Sequence, residues 1–206
     1  MARASRISGL VLWAVAGALL AATPAVAQYS SGFKFLEAVR KKDGQAVMDA
    51  LKAPGSTIVN SRDLTKGETA LHIVTQRRDV TWIQYLISQG ANPNIADVKG
   101  VTPLVLATQL GFLEGAQALI EGGARVDIPN DTGETPLIWA VHRRDIPMLR
   151  MLLKAGADPD RADSSGRTAR DYAALEGANS SLVSEIEKNE KPASERQGAR
   201  TYGPSF

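Results

Sequence analysis

The sequence predicts an all-α repeat fold, a solenoid of stacked helix-turn-helix units whose connecting turns project as β-turn fingers. One observation is the motif Gly-x-Thr-[Pro/Ala], which recurs every 33 residues at Gly67, Gly100, Gly133 and Gly166. A second observation is a Gly-Ala pair about twenty residues after each of the first three copies, at Gly90, Gly123 and Gly156. A fixed period of 20–50 residues is typical of stacked repeats, in which each unit buries its apolar face against its neighbours.

Each Gly-x-Thr-[Pro/Ala] motif predicts a turn that leads into a helix. Glycine permits the positive φ of a tight turn, and the threonine hydroxyl can accept a bond from a free N–H of the first helical turn. Proline at the next position has no N–H to lose and a suitable φ. The later Gly-Ala pair follows a run of Leu and Ile, which is a helix C-terminal signal. Two short helices therefore fit between the Gly-x-Thr-[Pro/Ala] motif and the Gly-Ala pair that follows it.

Residues 1–27 have the pattern of a cleaved signal peptide. Arg3 and Arg6 precede an apolar run over residues 10–20, and Ala25-Val26-Ala27 forms an A-x-A cleavage site. The alternative is a retained membrane anchor, but the run is shorter than the roughly 20 residues that a spanning helix needs, and Pro24 interrupts its end. We expect an exported protein, periplasmic in a bacterium or, as the alternative, secreted, with a short lead-in over residues 28–34.

The charge balance argues against a nucleic-acid partner. The whole chain has 24 basic and 22 acidic residues, and the only charges before Gln28 are the two arginines of the signal segment. Removal of residues 1–27 therefore leaves a net charge of zero, whereas nucleic-acid binding usually requires a strongly basic stripe. The chain has no cysteine, so its stability does not rely on disulfides.

Residues 35–61 are predicted to form a degenerate N-terminal unit. Phe35, Leu36 and Val39 fit one helix, and Val47 and Leu51 fit a second, but the opening motif is missing. An atypical unit is expected at the end of a stack, because one of its faces meets water rather than a neighbour.

Three full units follow at residues 62–94, 95–127 and 128–160, and a C-terminal cap unit at 161–187. Leu71, Leu104 and Leu137 occupy equivalent positions in the first helices and are expected to pack between the layers. In the cap unit Arg170 and Asp171 replace apolar residues, as suits a terminal layer.

Residues 188–206 are predicted to be a disordered tail. This segment contains two prolines and very few apolar residues, so it cannot bury enough surface to offset the entropy of ordering. The alternative is a docking peptide that ends in Tyr202 and Phe206.

The repeats resemble the ankyrin repeat family over residues 35–187. The resemblance rests on the 33-residue period, the Gly-x-Thr-Pro-Leu opening, the Gly-Ala-x-x-[Asn/Asp] close and the [Asp/Asn]-x-x-Gly turn that ends at Gly100, Gly133 and Gly166. His72 keeps the histidine that the family carries in the first helix. The glycine after that helix is replaced by Arg78 and Arg144, where a left-handed backbone costs about 1–2 kcal/mol.

The resemblance implies a monomeric, non-catalytic scaffold, with no cofactor and no membrane contact after signal cleavage, that binds a protein partner in a concave groove. The alternative function is that of an accessory subunit that stabilises or protects a periplasmic envelope enzyme. By position in the repeat, the finger residues would be Thr65, Lys66, Glu68, Val98, Lys99, Val101, Asp131, Thr132 and Glu134. The groove residues would be Gln76, Arg77, Gln109, Leu110, His142, Arg143, Leu175 and Glu176.

Neither a metal site nor an active site is expected. His72 and His142 are the only histidines, and without cysteine a metal would need carboxylates to complete its ligands. The chain contains no nucleophile elbow, phosphate loop or dinucleotide fingerprint.

Three further interpretations concern single side chains. Arg77 and Arg143, two repeats apart, could clamp an acidic partner surface, because guanidinium groups pair well with carboxylates. The alternative is solvated charge balanced by the neighbouring Asp79 and Asp145. Trp82 and Trp139 are interpreted as packing residues of the interlayer core. Leu110 and Leu175 are expected to form a modest hydrophobic strip in the groove.

Overall fold

The computed structural model describes residues 24–52, 57–175, 177 and 180–197. Most of the predicted signal segment (residues 1–23) lies outside these ranges, as do the candidate groove residue Glu176 and the tail residues Tyr202 and Phe206. Within the described part of the chain, no helix combines the length and the apolarity that are needed to cross a bilayer.

The described residues form ten α-helices and two 3₁₀ turns, and none of them forms a strand. In chain order the helices are α1 (Pro24–Lys41), α2 (Gly44–Leu51), α3 (Ala70–Gln76), α4 (Val80–Ser88), α5 (Pro103–Leu110), α6 (Leu113–Glu121), α7 (Pro136–His142), α8 (Ile146–Lys154), α9 (Ala169–Leu175) and α10 (Ser181–Asn189). The 3₁₀ turns are Ile58–Asn60 and Ala193–Glu195. The predicted all-α repeat fold is confirmed.

The helices pair into five units, and the units stack in chain order. The first helices α1, α3, α5, α7 and α9 pack in succession, and the second helices α4, α6, α8 and α10 form a parallel layer. In the first unit the helix is longer than the sequence indicates, because α1 begins at Pro24 and includes the predicted lead-in.

The helix starts follow the capping chemistry of the sequence. Thr102 and Thr135 accept bonds from the backbone N–H groups of Val105 and Ile138, each at 3.3 Å, and a proline follows each threonine at the first helical position. In α3 the cap is reciprocal, because His72 Nδ1 accepts the Thr69 N–H at 3.1 Å.

His72 also links two units. Because its Nδ1 accepts from Thr69, the proton lies on Nε2, which donates to the Val101 carbonyl at 2.9 Å. Burial lowers the pKa of His72, so the imidazole is neutral and structural, in agreement with its position at a helix start.

The backbone is left-handed at both arginines that replace the family's glycine, despite the cost that the sequence indicated. Arg78 has φ 59° and Arg144 has φ 52°, at the positions where Gly111 has φ 61° and Gly177 has φ 113°. The Arg78 guanidinium donates to the Leu110 carbonyl of the next unit. This charge-assisted bond helps to offset the strain of a non-glycine residue in that conformation.

One continuous apolar core runs through the stack. Leu71, Leu104 and Leu137 are each at most 1% exposed, as predicted for the interlayer positions. Ala107 and Ala140 are fully buried at equivalent positions of their helices, where a small side chain allows the layers to approach closely.

The structure contradicts the predicted disorder between residues 188 and 197. Helix α10 continues to Asn189, and Arg196, whose side chain is only 13% exposed, bonds to Asp158 at 2.8 Å and to Asp160 and Glu190 at 2.9 Å. Composition fails here because these charge-assisted bonds, rather than apolar burial, hold the segment. Residues 198–206 of the predicted tail lie outside the described ranges.

Replacement of Leu137 by Ala is expected to lower the free energy of unfolding by about 2–5 kcal/mol, the usual cost of truncating a buried leucine. The matched control is Leu175→Ala, because Leu175 is 71% exposed and its truncation should cost less than about 0.5 kcal/mol. Urea denaturation measures both. Similar values for the two variants would contradict the interlayer position of Leu137.

Replacement of Arg196 by Ala is expected to destabilise the protein by about 1–3 kcal/mol, because it removes bonds to three carboxylates at once. Ser194→Ala is the control, since Ser194 is exposed on the same segment. Thermal unfolding distinguishes the two. An unchanged melting temperature for Arg196→Ala would show that residues 190–197 do not dock in solution.

Candidate functional site

The finger turns are fixed by one acidic or amide side chain at the base of each turn. Asp63 Oδ1 accepts from the N–H groups of Thr65 and Lys66, both at 2.9 Å, and Asn130 Oδ1 accepts from that of Glu134 at 2.9 Å. The hydroxyl of Thr65 and these N–H groups hold the pKa of Asp63 well below its usual range, and a bond from Tyr172 does the same for the pKa of Asp163. The turn carboxylates are therefore structural.

Backbone bonds also join each finger to the next. The N–H of Val98 donates to the Lys66 carbonyl at 3.0 Å, that of Asp131 to the Lys99 carbonyl at 3.1 Å, and that of Ser164 to the Thr132 carbonyl at 3.0 Å. Because every finger is bonded to its neighbours, the row of finger tips is a preorganised surface.

The finger candidates differ in their exposure. Lys66, Lys99 and Thr132 are exposed, and so are Thr65, Val98 and Asp131, whereas Glu68, Val101 and Glu134 are half-buried. Leu64, which the sequence reasoning did not single out, is 75% exposed in the first of these finger turns and lies directly after the turn aspartate Asp63. Its place between a turn aspartate and Thr65 was the available signal.

The groove candidates lie at or next to the C-terminal ends of the first helices α3, α5, α7 and α9. Gln76, His142, Arg143 and Leu175 are exposed there, and Gln109 and Leu110 are half-buried. The predicted hydrophobic strip of Leu110 and Leu175 does not form. These residues belong to α5 and α9, which are separated by α7, and Leu110 packs partly against the core.

Three rings on α7 and α9 form a row, here called the aromatic row: Trp139, His142 and Tyr172. The ring centroids are 6.1 Å apart for Trp139 and His142 and 4.4 Å apart for His142 and Tyr172. Tyr172 is held by its hydroxyl, which donates to Asp163 Oδ2 at 2.6 Å. The aromatic row therefore joins α7 to α9 at the surface of the stack.

The position of Trp139 corrects its assignment to the interlayer core. Leu137, Ile138 and Ala140 are fully buried around it, whereas Trp139 itself is half-buried and its ring lies against that of His142. The signal was present in the sequence, because Trp139 lies 33 residues before Tyr172 and shares its place in the repeat. Trp82, by contrast, packs against the core as expected.

Arg77 and Arg143 do not make a matched pair. Arg77 is 16% exposed, donates to the Val39 carbonyl at 2.5 Å and to Asp79 at 3.2 Å, and lies over Trp82. Arg143 is exposed and donates to the Gln109 carbonyl at 3.0 Å. Asp79 balances Arg77 as the alternative expected. Arg77 is therefore a tie between the first two units and not an arm of a clamp.

The metal-ligating side chains of the described residues are scattered over the stack. Nowhere among them do three His, Asp or Glu side chains converge in an arrangement that could hold a metal ion. A separate cleft of about 440 Å³ lies between the second helices α6 and α8. It is lined by Gln117, Ile120, Glu121, Pro147, Arg150, Met151 and Lys154, which include no hydroxyl, thiol or imidazole nucleophile.

Comparison with protein families gives two matches of one kind. A family model for ankyrin repeats in three copies matches residues 35–130, and a model for ankyrin repeats in many copies matches residues 119–173. The two matches together extend from the degenerate first unit to α9. A comparison with curated proteins gave no match.

Arg77→Ala is expected to lower the free energy of unfolding by about 1–3 kcal/mol, because the Val39 carbonyl loses its charged donor. Arg143→Ala, on an exposed side chain, should cost less than about 1 kcal/mol. Urea denaturation compares the two. Equal losses, or a larger loss for Arg143→Ala, would contradict the assignment of Arg77 as the structural arginine of the pair.

Proposed function

Because the chain belongs to the ankyrin repeat family, we propose that it is a non-catalytic scaffold that binds a protein partner through the groove side of its first helices and its finger turns. Ankyrin repeats generally mediate interactions between proteins. The observation that carries the proposal is the aromatic row Trp139–His142–Tyr172 at the surface of α7 and α9. Binding hot spots are enriched in tryptophan, tyrosine and arginine that lie near the centre of an interface.

The surroundings of the aromatic row suit an interface centre with a polar rim. Leu175, one helical turn beyond Tyr172, adds an apolar side chain that is 71% exposed. Arg143 is exposed beside His142, and Glu134 Oε1 lies 3.9 Å from His142 Nε2. An apolar centre with charged groups of both signs at its edge excludes water from the centre while the rim sets orientation.

Rigidity of this surface supports recognition. The finger tips are held by backbone bonds between units, and Tyr172 is held by Asp163, so few groups need to be ordered on binding. Preorganisation reduces the entropic cost of association, which increases affinity without adding contacts.

The proposed setting is the periplasm of a bacterium, reached by export and cleavage after Ala27, where the protein acts as a monomer. The support is the charge and hydropathy pattern of residues 1–27 and the A-x-A site. Intact-mass analysis of the protein purified from an envelope fraction tests the cleavage. We expect a chain that begins at Gln28, and a chain that retains residues 1–27 would contradict it.

The binding proposal is tested in two steps. The protein purified from the envelope fraction first captures its partner from an envelope extract, and the affinity of variants for that partner is then measured. The double variant His142→Ala with Leu175→Glu should weaken its binding at least about tenfold, equivalent to about 1.4 kcal/mol. The control is Met48→Glu, because Met48 is also an exposed apolar side chain, 42% exposed, but lies on the second helix of the first unit. Surface plasmon resonance measures affinity, and thermal unfolding checks that each variant is folded.

The outcomes separate the candidate surfaces and roles. Loss of binding in the Met48→Glu control, with the double variant unaffected, would overturn the proposal and place the interface on the second helices. Stoichiometric recovery of one enzyme would favour the accessory-subunit alternative, whereas several weakly held proteins would favour a general scaffold.

A further inference from the structure

A ladder of side-chain bonds joins the loops that follow the second helices. Asn94 Oδ1 accepts from the N–H of Arg125 at 2.8 Å, and Asn94 Nδ2 donates to the Gly123 carbonyl at 3.0 Å. Asn60 makes the same pair of bonds to the unit that follows it. One primary amide thus supplies both an acceptor and a donor to each next unit, which an ionised carboxylate cannot do.

The third rung of this ladder is Asp127 instead of an asparagine. Its Oδ1 accepts from the N–H of Asp158 at 3.0 Å, as an asparagine would. By position in the repeat, Asp127 Oδ2 is equivalent to Asn94 Nδ2, and Gly156 is equivalent to Gly123, whose carbonyl accepts from Asn94. Asp127 is 4% exposed, and within the described residues its Oδ2 is buried without a hydrogen-bond partner.

An ionised carboxylate is unfavourable at this place, because its buried negative oxygen Oδ2 has no donor among the described residues. A protonated carboxyl has one O–H donor and fits the pattern of the other rungs. Burial raises the pKa of Asp127, and the negative charge of Asp158 adds to that effect. The bond from the Asp158 N–H and the charges of Arg161 and Arg125 oppose it without reversing the direction.

Residues 190–197, here called the C-terminal strap, lie against the same rung. The N–H of Gln197 donates to the Gly156 carbonyl at 3.0 Å, and Gln197 Oε1 accepts from the N–H of Val126 at 2.9 Å. Arg196 binds Asp158, the residue whose N–H bonds to Asp127. The strap therefore connects the two units that Asp127 connects. From the strap, the Arg196 guanidinium is the charged group that bonds to Asp158 beside this rung.

We propose that Asp127 carries a proton on Oδ2 and donates it to the Gly156 carbonyl, so that this rung, sealed by the C-terminal strap, is a proton-dependent bond between the units 95–127 and 128–160. The Gly156 carbonyl has two lone pairs and can accept from Gln197 and Asp127 together. Loss of the proton replaces a donor with a buried charge and weakens both the rung and the seating of the strap.

The direction of the pH effect follows from proton linkage. Asp127 binds its proton more tightly in the folded chain than in the unfolded chain, where the pKa of an aspartate has its ordinary value of 3.8. The folded state therefore holds more protons above that pH, and stability from this group is lost as the pH rises through the folded pKa. The carboxylates Asp63, Asp160 and Asp163, whose pKa values are lowered, act with the opposite sign at low pH.

The test compares the full chain with its Asp127→Asn variant, in which the amide restores the donor without a titrating group. Urea denaturation is measured between pH 4 and pH 8 for both proteins. The difference between the two isolates Asp127 from the other carboxylates. We expect the variant to gain stability relative to the wild type as the pH rises, and to be at least as stable at pH 8.

A direct titration keeps the proposal falsifiable if the variant fails to fold. The ¹³Cγ chemical shift of Asp127 in the wild type should titrate with a midpoint above pH 3.8. The amide hydrogen exchange of Gln197 and Asp158, corrected for the intrinsic exchange rate, should speed up with the same midpoint. A midpoint at or below 3.8, or exchange that does not follow it, would overturn the proposal. So would a constant stability difference across the pH range.

Discussion

No unit of this protein can bury its apolar face alone, and the rest of the structure depends on that constraint. Leu71, Leu104 and Leu137 are buried only because each first helix packs against the next one. The apolar area removed from water between layers supplies the main driving force, at about 25 cal/mol per Å². Fully buried alanines at the layer contacts allow the helices to approach closely enough for that burial.

Polar bonds between units have a different task, which is to set the register of the layers. Arg77, Arg78 and Arg143 each donate to a backbone carbonyl of a neighbouring unit, and His72 does the same through Nε2. Such bonds contribute modestly to stability because water offers similar partners in the unfolded chain. Their geometry is specific, however, so a layer that shifted by one helical turn would leave several buried groups unpaired.

The periodic part of the fold was predictable, because capping threonines, prolines and turn glycines act within a few residues of their own position. Gly67, Gly100 and Gly133 illustrate this, since each has the positive φ that the turn before a capped helix requires. The role of Arg77 and the docking of residues 190–197 were not predictable. Both depend on partners more than thirty residues away, the Val39 carbonyl and Asp158, whose availability only the packed stack determines.

The position of Arg196 and Gln197 changes how this stack can come apart. Repeat proteins in which units touch only their neighbours lose terminal units one at a time, because each junction is a separate term. Here Arg196 and Gln197 bond to Asp158 and Gly156 of the preceding unit, so complete separation of the cap unit together with the C-terminal strap has to break these bonds as well. The cap unit is thereby coupled to residues 128–160 by side-chain and backbone bonds of the strap in addition to the packing of neighbouring helices.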